Sequence, residues 1–372
     1  MAHGLLETRP MTTGFLWDER YAWHQQGVMP LGPDAEPYPG PDTPETKRRI
    51  FSLVQTSGLG PKLEQLHPRM ATEAELCRFH DTDYVERVKA LSAAGGGSIG
   101  ESASIGEGGF EIAALATGGC LVAADAVLEG RVDNAYALVR PAGHHAEARR
   151  GRGFCVFGNT ALAALHAMVA HGVARLAIVD WDVHHGNGTE DAFYRDPNVL
   201  TMSVHQDGNY PEQRGGLEDR GEGVGLGANI NLPLPPGSGH EAYVQAIERV
   251  VLPALRSHRP ELILIASGVD ASVRDPMGRM LLGGETFRAM TARLIEAADE
   301  LCGGRLVACH EGGYAPTHAP FCTLAILETL AGERTSVVDP MAARLANMAG
   351  RELQPAQHAV IERAAELAAT VP

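Results

Sequence analysis

From residue 110 onward, short apolar runs alternate with longer stretches of helical periodicity. Five runs predict buried strands, at residues 135–139, 176–179, 199–204, 262–266 and 305–309. Helical patterns separate most of them, at residues 159–171, 240–257 and 285–301. Apolar strands that alternate with helices indicate a parallel sheet covered by helices on both faces. In such sheets, ligands bind just beyond the carboxyl ends of the strands.

The first hundred residues contain fewer strand signals. Residues 31–45 are proline-rich and polar, which predicts a surface excursion, and a helix is expected to begin at Thr43. Thr72 and Glu75 have the spacing of a capping box, which predicts a second helix start. The glycine-rich segment 95–109 predicts a flexible loop, either a plain connection or a functional rim.

The predicted strands bring polar or titratable side chains to one edge of the sheet. Such residues follow directly after the apolar runs, and the carboxyl ends of neighbouring parallel strands meet at the same edge. In chain order they are His144 and His145, then Asp180, Asp182, His184 and Asn187, then Ser203, Asp270 and Tyr314. Their common position predicts a functional site at this edge.

Part of this set has the residue types of a catalytic metal centre. Asp182 and His184 lie two residues apart, so in extended backbone both side chains point to one side, and Asp180 shares that phase. Asp270 arrives from another strand, which makes three ligands with an open fourth position, the pattern of catalytic zinc. Two oxygen ligands and one nitrogen also suit Fe(II) or Mn(II). The alternative is that the two aspartates only cap a turn.

A second part has the residue types of acid–base catalysis. An isolated histidine pair is usually an ordinary surface feature, but His144 and His145 open onto the metal edge, where hydrolysis needs a base. Asp180 and Asn187 are candidate hydrogen-bond partners. A histidine bonded to a carboxylate is favoured as imidazolium, whereas one bonded to a neutral amide keeps a pKa near ~6.5. The two histidines are therefore expected to differ in role.

Aromatic residues complete the predicted site. Tyr314 follows two glycines and is positioned to donate a hydrogen bond to a developing oxyanion. Phe154, which follows Gly153, and Tyr210 are candidates for the apolar walls of a narrow acyl channel. The alternative for each aromatic ring is ordinary core packing.

Composition limits the range of partners. The 372 residues carry a formal net charge of −15, which repels nucleic acid and attracts amines. The six cysteines form no CxxC pair and indicate reduced packing residues in a cytoplasmic protein. We find neither the pattern of a secretory signal nor a run near the ~18 consecutive apolar residues of a membrane helix, so no membrane partner is expected. A homo-oligomer, dimer or tetramer, stays open.

Several segments, in family order, resemble the histone deacetylase superfamily and its bacterial class II-like branch, the histone deacetylase-like amidohydrolases. They are RPAGHHA (140–146), GFCVFGNTALAA (153–164), DWDVHHGNGTED (180–191), NINLPLPPGSG (229–239), GVDASVRDPMG (268–278) and EGGY (311–314). The resemblance implies the arginase–deacetylase fold, a single α/β domain around an eight-stranded parallel sheet. This single domain is expected to span residues 1–372, with a core at about 15–330 and a C-terminal helical segment at about 340–370.

The resemblance also implies roles for individual residues. Zinc is expected on Asp182, His184 and Asp270, with a structural potassium ion near Asp180, Asp182, His184 and Ser203. His145 is expected to be the general base and acid. His144, bonded to Asp180, is expected to be its electrostatic partner. Tyr314 is expected to polarise the substrate carbonyl.

At the rim of the channel this chain departs from the family pattern. After Val204 and His205 it reads QDGNYPEQRGG, so Tyr210 is expected to replace the usual aromatic wall. Glu101 falls near the position where the family has an aspartate that holds the substrate backbone. Met277 stands where polyamine-directed relatives carry a glutamate that selects a cationic substrate.

The resemblance implies an amidohydrolase that removes acetyl or related acyl groups from acetyl-lysine-type amines by way of an activated water. An acetylpolyamine amidohydrolase is the main alternative. A binuclear manganese ureohydrolase is disfavoured, because such enzymes need a second carboxylate where this chain has Asp270-Ala271-Ser272. A non-catalytic acyl-lysine binding module is disfavoured by the presence of Tyr314.

Overall fold

Eight parallel strands form the central sheet of the computed structural model, which describes residues 11–27, 36, 38–348 and 351–371. The strands are β1 (Thr13–Leu16), β2 (Glu64–Leu66), β5 (Asn134–Ala137), β7 (Leu176–Asp180), β8 (Val199–Gln206), β9 (Asn229–Leu234), β10 (Ile263–Ser267) and β11 (Leu306–His310). Their order across the sheet is β2-β1-β5-β11-β10-β7-β8-β9. All five predicted strands are present, and β5, β7, β10 and β11 are buried along their whole length, as expected for a sheet covered on both faces.

A second, three-stranded sheet corrects one prediction. The segment 95–109, predicted as a flexible loop, contains the antiparallel strands β3 (Gly96–Glu101) and β4 (Ala103–Gly106), and β6 (Gly151–Arg152) pairs with β3. A Cβ at Gly100 would lie 1.9 Å from the carbonyl oxygen of Gly151. Glycine is therefore needed here for close approach of two strands, whereas the composition alone indicated flexibility.

Helices of very different lengths surround the sheet. They are α1 (Pro44–Thr56), α2 (Glu73–Leu76), α3 (Thr82–Ala93), α4 (Gly109–Leu128), α5 (Asn159–His171), α6 (Asn187–Phe193), α7 (His240–Ala246), α8 (Leu252–His258), α9 (Gly284–Cys302), α10 (Ala319–Leu330), α11 (Ala342–Ala346) and α12 (Pro355–Ala368). Thr43 is the N-cap of α1, and Thr72 with Glu75 forms the predicted capping box at α2. The predicted helix 240–257 is interrupted by a π-helical turn at Ile247–Val251.

The helix α4 is a core element. By length and composition alone, its 20 residues are long enough and apolar enough to cross a membrane. Polar and glycine residues interrupt the apolar sequence of the helix. Most of its side chains are buried, and it packs against β1, β5, β11 and α5. Burial within the protein accounts for this apolar composition.

Other predictions meet the structure only in part. The six cysteines are free thiols, five of them buried. The helical segment expected at 340–370 appears as α11 and α12. Of the surface excursion expected at 31–45, residues 31–35 and 37 lie outside the described residues.

Candidate metal and catalytic site

Three side chains that could hold a metal ion meet beyond the ends of β7 and β10. His184 Nδ1 lies 2.9 Å from Asp182 Oδ1 and 3.2 Å from Asp270 Oδ2. One donor atom of each residue lies within 4.8 Å of the other two, and all three side chains are buried. Two carboxylates and one imidazole in this arrangement are a suitable ligand set for zinc with a fourth position for water or substrate.

The packing around the two carboxylates fits a cation. Asp270 Oδ2 is buried and has no hydrogen-bond partner among the described residues. A Cβ at Gly268 would lie 2.1 Å from Asp182 Oδ2, and one at Gly312 would lie 2.1 Å from Asp270 Oδ2. Burial and the charge of Asp182 raise the pKa of Asp270 to about 6. A cation bound beside these two adjacent buried carboxylates would favour the ionised form of both.

The histidine pair lies beside this cluster, with its rings 4.0 Å apart. His144 donates from Nδ1 to Asp180 Oδ2 at 2.8 Å, and Nδ1 of His145 lies 2.8 Å from Asn187 Oδ1. Glu311 holds the loop that carries His144 and His145. Its carboxylate accepts hydrogen bonds from the backbone N–H groups of Gly143 and His144 at 2.6 and 3.0 Å. Each histidine thus has one partner, and the two partners differ in charge.

The electrostatic surroundings separate the two histidines. Burial opposes a charge on His144, but the carboxylates of Asp182 and Asp180 raise its pKa well above the ordinary value. Burial lowers the pKa of His145 well below the ordinary value, and the charges of His144 and His184 lower it further. His144 is therefore favoured as imidazolium and His145 as neutral imidazole.

Tyr314 reaches the same space from the loop after β11. Its ring is 8% exposed and packs edge-on against Phe154, with the ring centroids 5.7 Å apart. Asp275 Oδ2 accepts hydrogen bonds from the backbone N–H groups of Tyr314 at 2.7 Å and Ala315 at 3.2 Å. The ammonium of Lys47 lies 5.4 Å from the centroid of the tyrosine ring. This loop is therefore held from two sides.

Sequence reasoning assigned no role to Glu311, Asp275 or Lys47. Glu311 directly follows β11, so its position at a strand end was an available signal. Lys47 lies in α1, far along the chain from Tyr314, and no local pattern indicates their contact. Burial raises the pKa values of Glu311 and Asp275 to about 7 each.

The predicted wall residues surround the histidine pair. A Cβ at Gly153, whose φ is +49°, would lie 2.4 Å from His145 Cδ2 and 2.8 Å from Tyr210 Cε1. The Tyr210 ring packs edge-on against His145 with centroids 5.0 Å apart. Phe154 lies on the side of Tyr314. Glycine at position 153 therefore lets the backbone approach the rings of His145 and Tyr210 closely.

The two residues predicted at the rim, Glu101 and Met277, contact residues that neighbour Tyr210. Glu101 is the last residue of β3 and forms an ion pair with Arg152 at 2.9 Å, its side chain being 48% exposed. The carbonyl oxygen of Met277 accepts a hydrogen bond from Asn209, the neighbour of Tyr210, at 3.1 Å. Both predicted rim residues are therefore linked to the Tyr210 wall.

A cavity of about 10 Å³ lies beside β7 and β8, lined by Asp180 and Ser203 among others. These two residues are in register on neighbouring strands, and Ser203 Oγ lies 2.9 Å from His205 Nδ1. Asn231 Oδ1, on another wall, is buried without a partner among the described residues. The cavity is the size of about one water or ion.

A separate cluster lies between α4 and α5. The Nε2 atoms of His166 and His171 each lie 2.7 Å from Asp125 Oδ1. Arg78 donates to Nδ1 of His166 at 2.9 Å, so the neutral ring carries its proton on Nε2 and donates it to Asp125. Hydrogen bonding is sufficient to explain this cluster.

Comparison with known proteins shows to which family the chain is related. The model of the histone deacetylase domain matches residues 40–330. The chain is 49% identical over 336 residues to a histone deacetylase-like amidohydrolase of Pseudomonas aeruginosa, covering 88% of each protein. The chain belongs to the histone deacetylase family.

Further relatives agree with this assignment. A probable deacetylase of Archaeoglobus fulgidus is 35% identical over 334 residues, covering 88% of this chain and 89% of the relative. The crystal structure of the HDA15 HD domain superposes with a TM-score of 0.85 at 31% identity, covering 96% of each chain. Family membership supports a hydrolase of the deacetylase/amidohydrolase class, and the structural match agrees with the α/β single-domain fold.

Proposed function

We propose that this member of the family is a zinc-dependent amidohydrolase that removes acetyl or related acyl groups from acetyl-lysine-type amines. The observation that carries the proposal is the buried Asp182–His184–Asp270 cluster beside two histidines whose partners differ in charge. Hydrolysis of an amide needs a proton acceptor, a stabiliser of negative charge and an activated water, and the residues suit these three tasks.

Asp182, His184 and Asp270 would hold the zinc ion. When bound, zinc supplies Lewis acidity towards water and towards the amide carbonyl. The Oδ2 atom of Asp270, which accepts no hydrogen bond from the described residues, and the space left by Gly268 and Gly312 support a cation at this position. By the same reasoning we propose a structural potassium ion near Asp180, Asp182, His184 and Ser203, next to the small cavity between β7 and β8.

His145 accepts the proton of the attacking water at Nε2 and passes it to the departing amine nitrogen. Its depressed pKa keeps the ring neutral before the reaction. His144 stays positively charged beside Asp180, which favours the negative charge that develops on the substrate. The hydroxyl of Tyr314 donates a hydrogen bond to the amide oxygen, and the loop that carries it is fixed through Asp275.

The channel supports a flat, narrow acylated amine as substrate. In this proposal Gly153, Phe154 and Tyr210 form its walls, and the half-exposed carboxylate of Glu101 accepts backbone N–H groups of a peptide at the rim. Met277 offers no charge to a distal ammonium, which favours acyl-lysine over acetylpolyamines. We expect a cytoplasmic protein without nucleic-acid or membrane partners, and a homo-oligomer stays open.

Metal removal together with variants of the cluster tests the proposal. Chelator-treated protein should lose hydrolysis of an acetyl-lysine peptide and regain it with about one equivalent of zinc, because three ligands form one site. Asp182→Ala and His184→Ala should lose both the metal and the activity. Two tightly bound manganese ions with urea release from agmatine would contradict the proposal. Peptide binding without turnover in the zinc-loaded protein would instead indicate a binding module.

A further inference from the structure

Glu147 and Arg152 lie behind the histidine pair and have no part in the function proposed above. The three nitrogen atoms of the Arg152 guanidinium face three partners from three segments of the chain. Nη2 lies 2.9 Å from Glu101 Oε2, Nη1 donates to Glu147 Oε1 at 3.0 Å, and Nε donates to Tyr210 Oη at 3.2 Å. The side chain is 14% exposed. This fork is specific to arginine, because the single nitrogen of a lysine cannot span three such positions.

Glu147 continues this network towards the base. Its Oε1 accepts from Arg152 and also from Asn187 Nδ2 at 3.1 Å, while Oε2 accepts from Arg150 at 2.7 Å. Asn187 Oδ1 in turn lies 2.8 Å from His145 Nδ1. Four side chains, those of Glu101, Arg152, Glu147 and Asn187, therefore form a continuous network from the rim to His145, the proton acceptor of the proposed site.

The chemistry of these groups determines the direction of each hydrogen bond. An ionised carboxylate only accepts, so Glu147 requires the NH₂ group of Asn187 on its side. The backbone carbonyl of His145, 3.3 Å from the same Nδ2, accepts a longer hydrogen bond that is compatible with the same orientation. Asn187 then presents Oδ1 to His145, which must carry its proton on Nδ1. The lone pair of the ring is left on Nε2, the atom that accepts a proton in the reaction.

We propose that Glu147, held by the Arg152 fork, is a positioning residue that sets the amide orientation of Asn187 and thereby the tautomer of His145. The inference rests on the proposed function, since it concerns the same base. The ion pairs with Arg150 and Arg152 outweigh burial and lower the pKa of Glu147, so it stays an acceptor at neutral pH. Through Arg152 the same network connects the tautomer of the base to Tyr210 and Glu101 at the rim.

Glu147→Met tests the orientation step, because methionine has a similar length but offers no carboxylate acceptor to the NH₂ group of Asn187. We expect kcat on an acetyl-lysine peptide to fall about 10-fold to 100-fold, the range for loss of a hydrogen-bond partner behind a functional histidine. KM, zinc content and the thermal midpoint should change little. In an Asn187→Ala background the same substitution should have no further effect, since both act through one hydrogen bond to His145. Independent, multiplying losses would overturn the proposal, as would an unchanged kcat in Glu147→Met.

Arg152→Met and Arg152→Lys test the fork. Both should lower kcat several-fold and to a similar degree, because neither side chain replaces the three-way contact. Arg150→Met is the matched control: Arg150 also pairs with Glu147, but its side chain is 48% exposed, and it should stay within about twofold of the parent. If Arg150→Met is as impaired as Arg152→Met, or if Arg152→Lys keeps the parent kcat, the role of the fork is wrong.

The tautomer provides a readout that does not require turnover. Ring ¹⁵N chemical shifts of histidine-labelled protein should report a proton on Nδ1 of His145 in the parent and a mixed or reversed state in Glu147→Met. The His145 signal is assigned as the one lost in His145→Ala. An identical Nδ1–H signal in both proteins would overturn the inference even in an active enzyme. The parent protein could also fail to hydrolyse any acyl-lysine peptide while the tautomer of His145 still differs between the parent and the Glu147 variant. That result would uphold the positioning role and reject the proposed function.

Discussion

Replacing Gly312 by alanine should remove the metal while leaving the fold in place. The φ angle of Gly312 lies outside the left-handed region, so the backbone accepts alanine without strain. The added Cβ, however, would lie 2.1 Å from Asp270 Oδ2 and 2.6 Å from Asp182 Oδ2. Because ordinary contact begins at 3.4 Å, Asp270 would have to move by roughly 1.3 Å.

The size of this shift sets the expected loss. Metal sites accept ligand distances within about 0.2 Å of the ideal value, so Asp270 would no longer serve as a ligand. Since disturbing an outer partner already costs about 10-fold to 100-fold in metal affinity, we expect a loss of at least about 100-fold in Gly312→Ala. Overpacking should cost about 1–3 kcal/mol of stability, which leaves the chain folded.

The assay is competition for zinc against a chelator of known affinity, with a thermal melt followed by circular dichroism to confirm folding. Gly216→Ala is the matched control. The nearest atom to its added Cβ would be Asp219 Oδ2, at 3.4 Å, which is an ordinary contact. It should bind zinc like the parent. If Gly312→Ala folds and keeps the zinc affinity of the parent, the Asp182–Asp270 pair does not hold the metal and the reasoning fails.

Three further predictions concern other parts of the chain. Tyr314→Phe removes only a hydrogen-bond donor, so kcat should fall about 10²-fold to 10³-fold with KM and zinc content unchanged, and a near-normal kcat would contradict its role. Met277→Glu should shift kcat/KM from acetyl-lysine towards acetylpolyamines, because a rim carboxylate attracts a cation; a parent that already prefers polyamines would refute this. Although burial opposes ionisation, hydrogen bonds from Arg69 and Thr72 lower the pKa of Glu75 to about 2, from an ordinary 4.5. The destabilisation caused by Glu75→Gln, measured by denaturant unfolding, should therefore be full above pH 4.5 and disappear as the pH falls through 2; a pH-independent difference would contradict it.

Local pattern was sufficient for the frame of this protein. Continuous apolar runs predict strands buried on both faces, and helical periodicity between them predicts a parallel arrangement, so five strands of the sheet and the common edge of their ends followed from the pattern. The number of eight strands followed only from the resemblance to the family. The expectation that Asp182, His184 and Asp270 lie together followed in the same way, because residues after parallel strands meet in space.

Tertiary structure decided what depends on distant partners. The glycines of segment 95–109 predict flexibility when the segment is considered alone. Gly100 nevertheless lies in a strand, because Gly151 comes close enough to pair with it. Nothing local indicates that Arg152 contacts Tyr210, 58 residues away, or that Glu147 lies behind Asn187, 40 residues away. Which histidine is charged and which is neutral depends on burial and on charges from several strands at once. Those are properties of the packed molecule, because electrostatic interactions act through space and not along the chain.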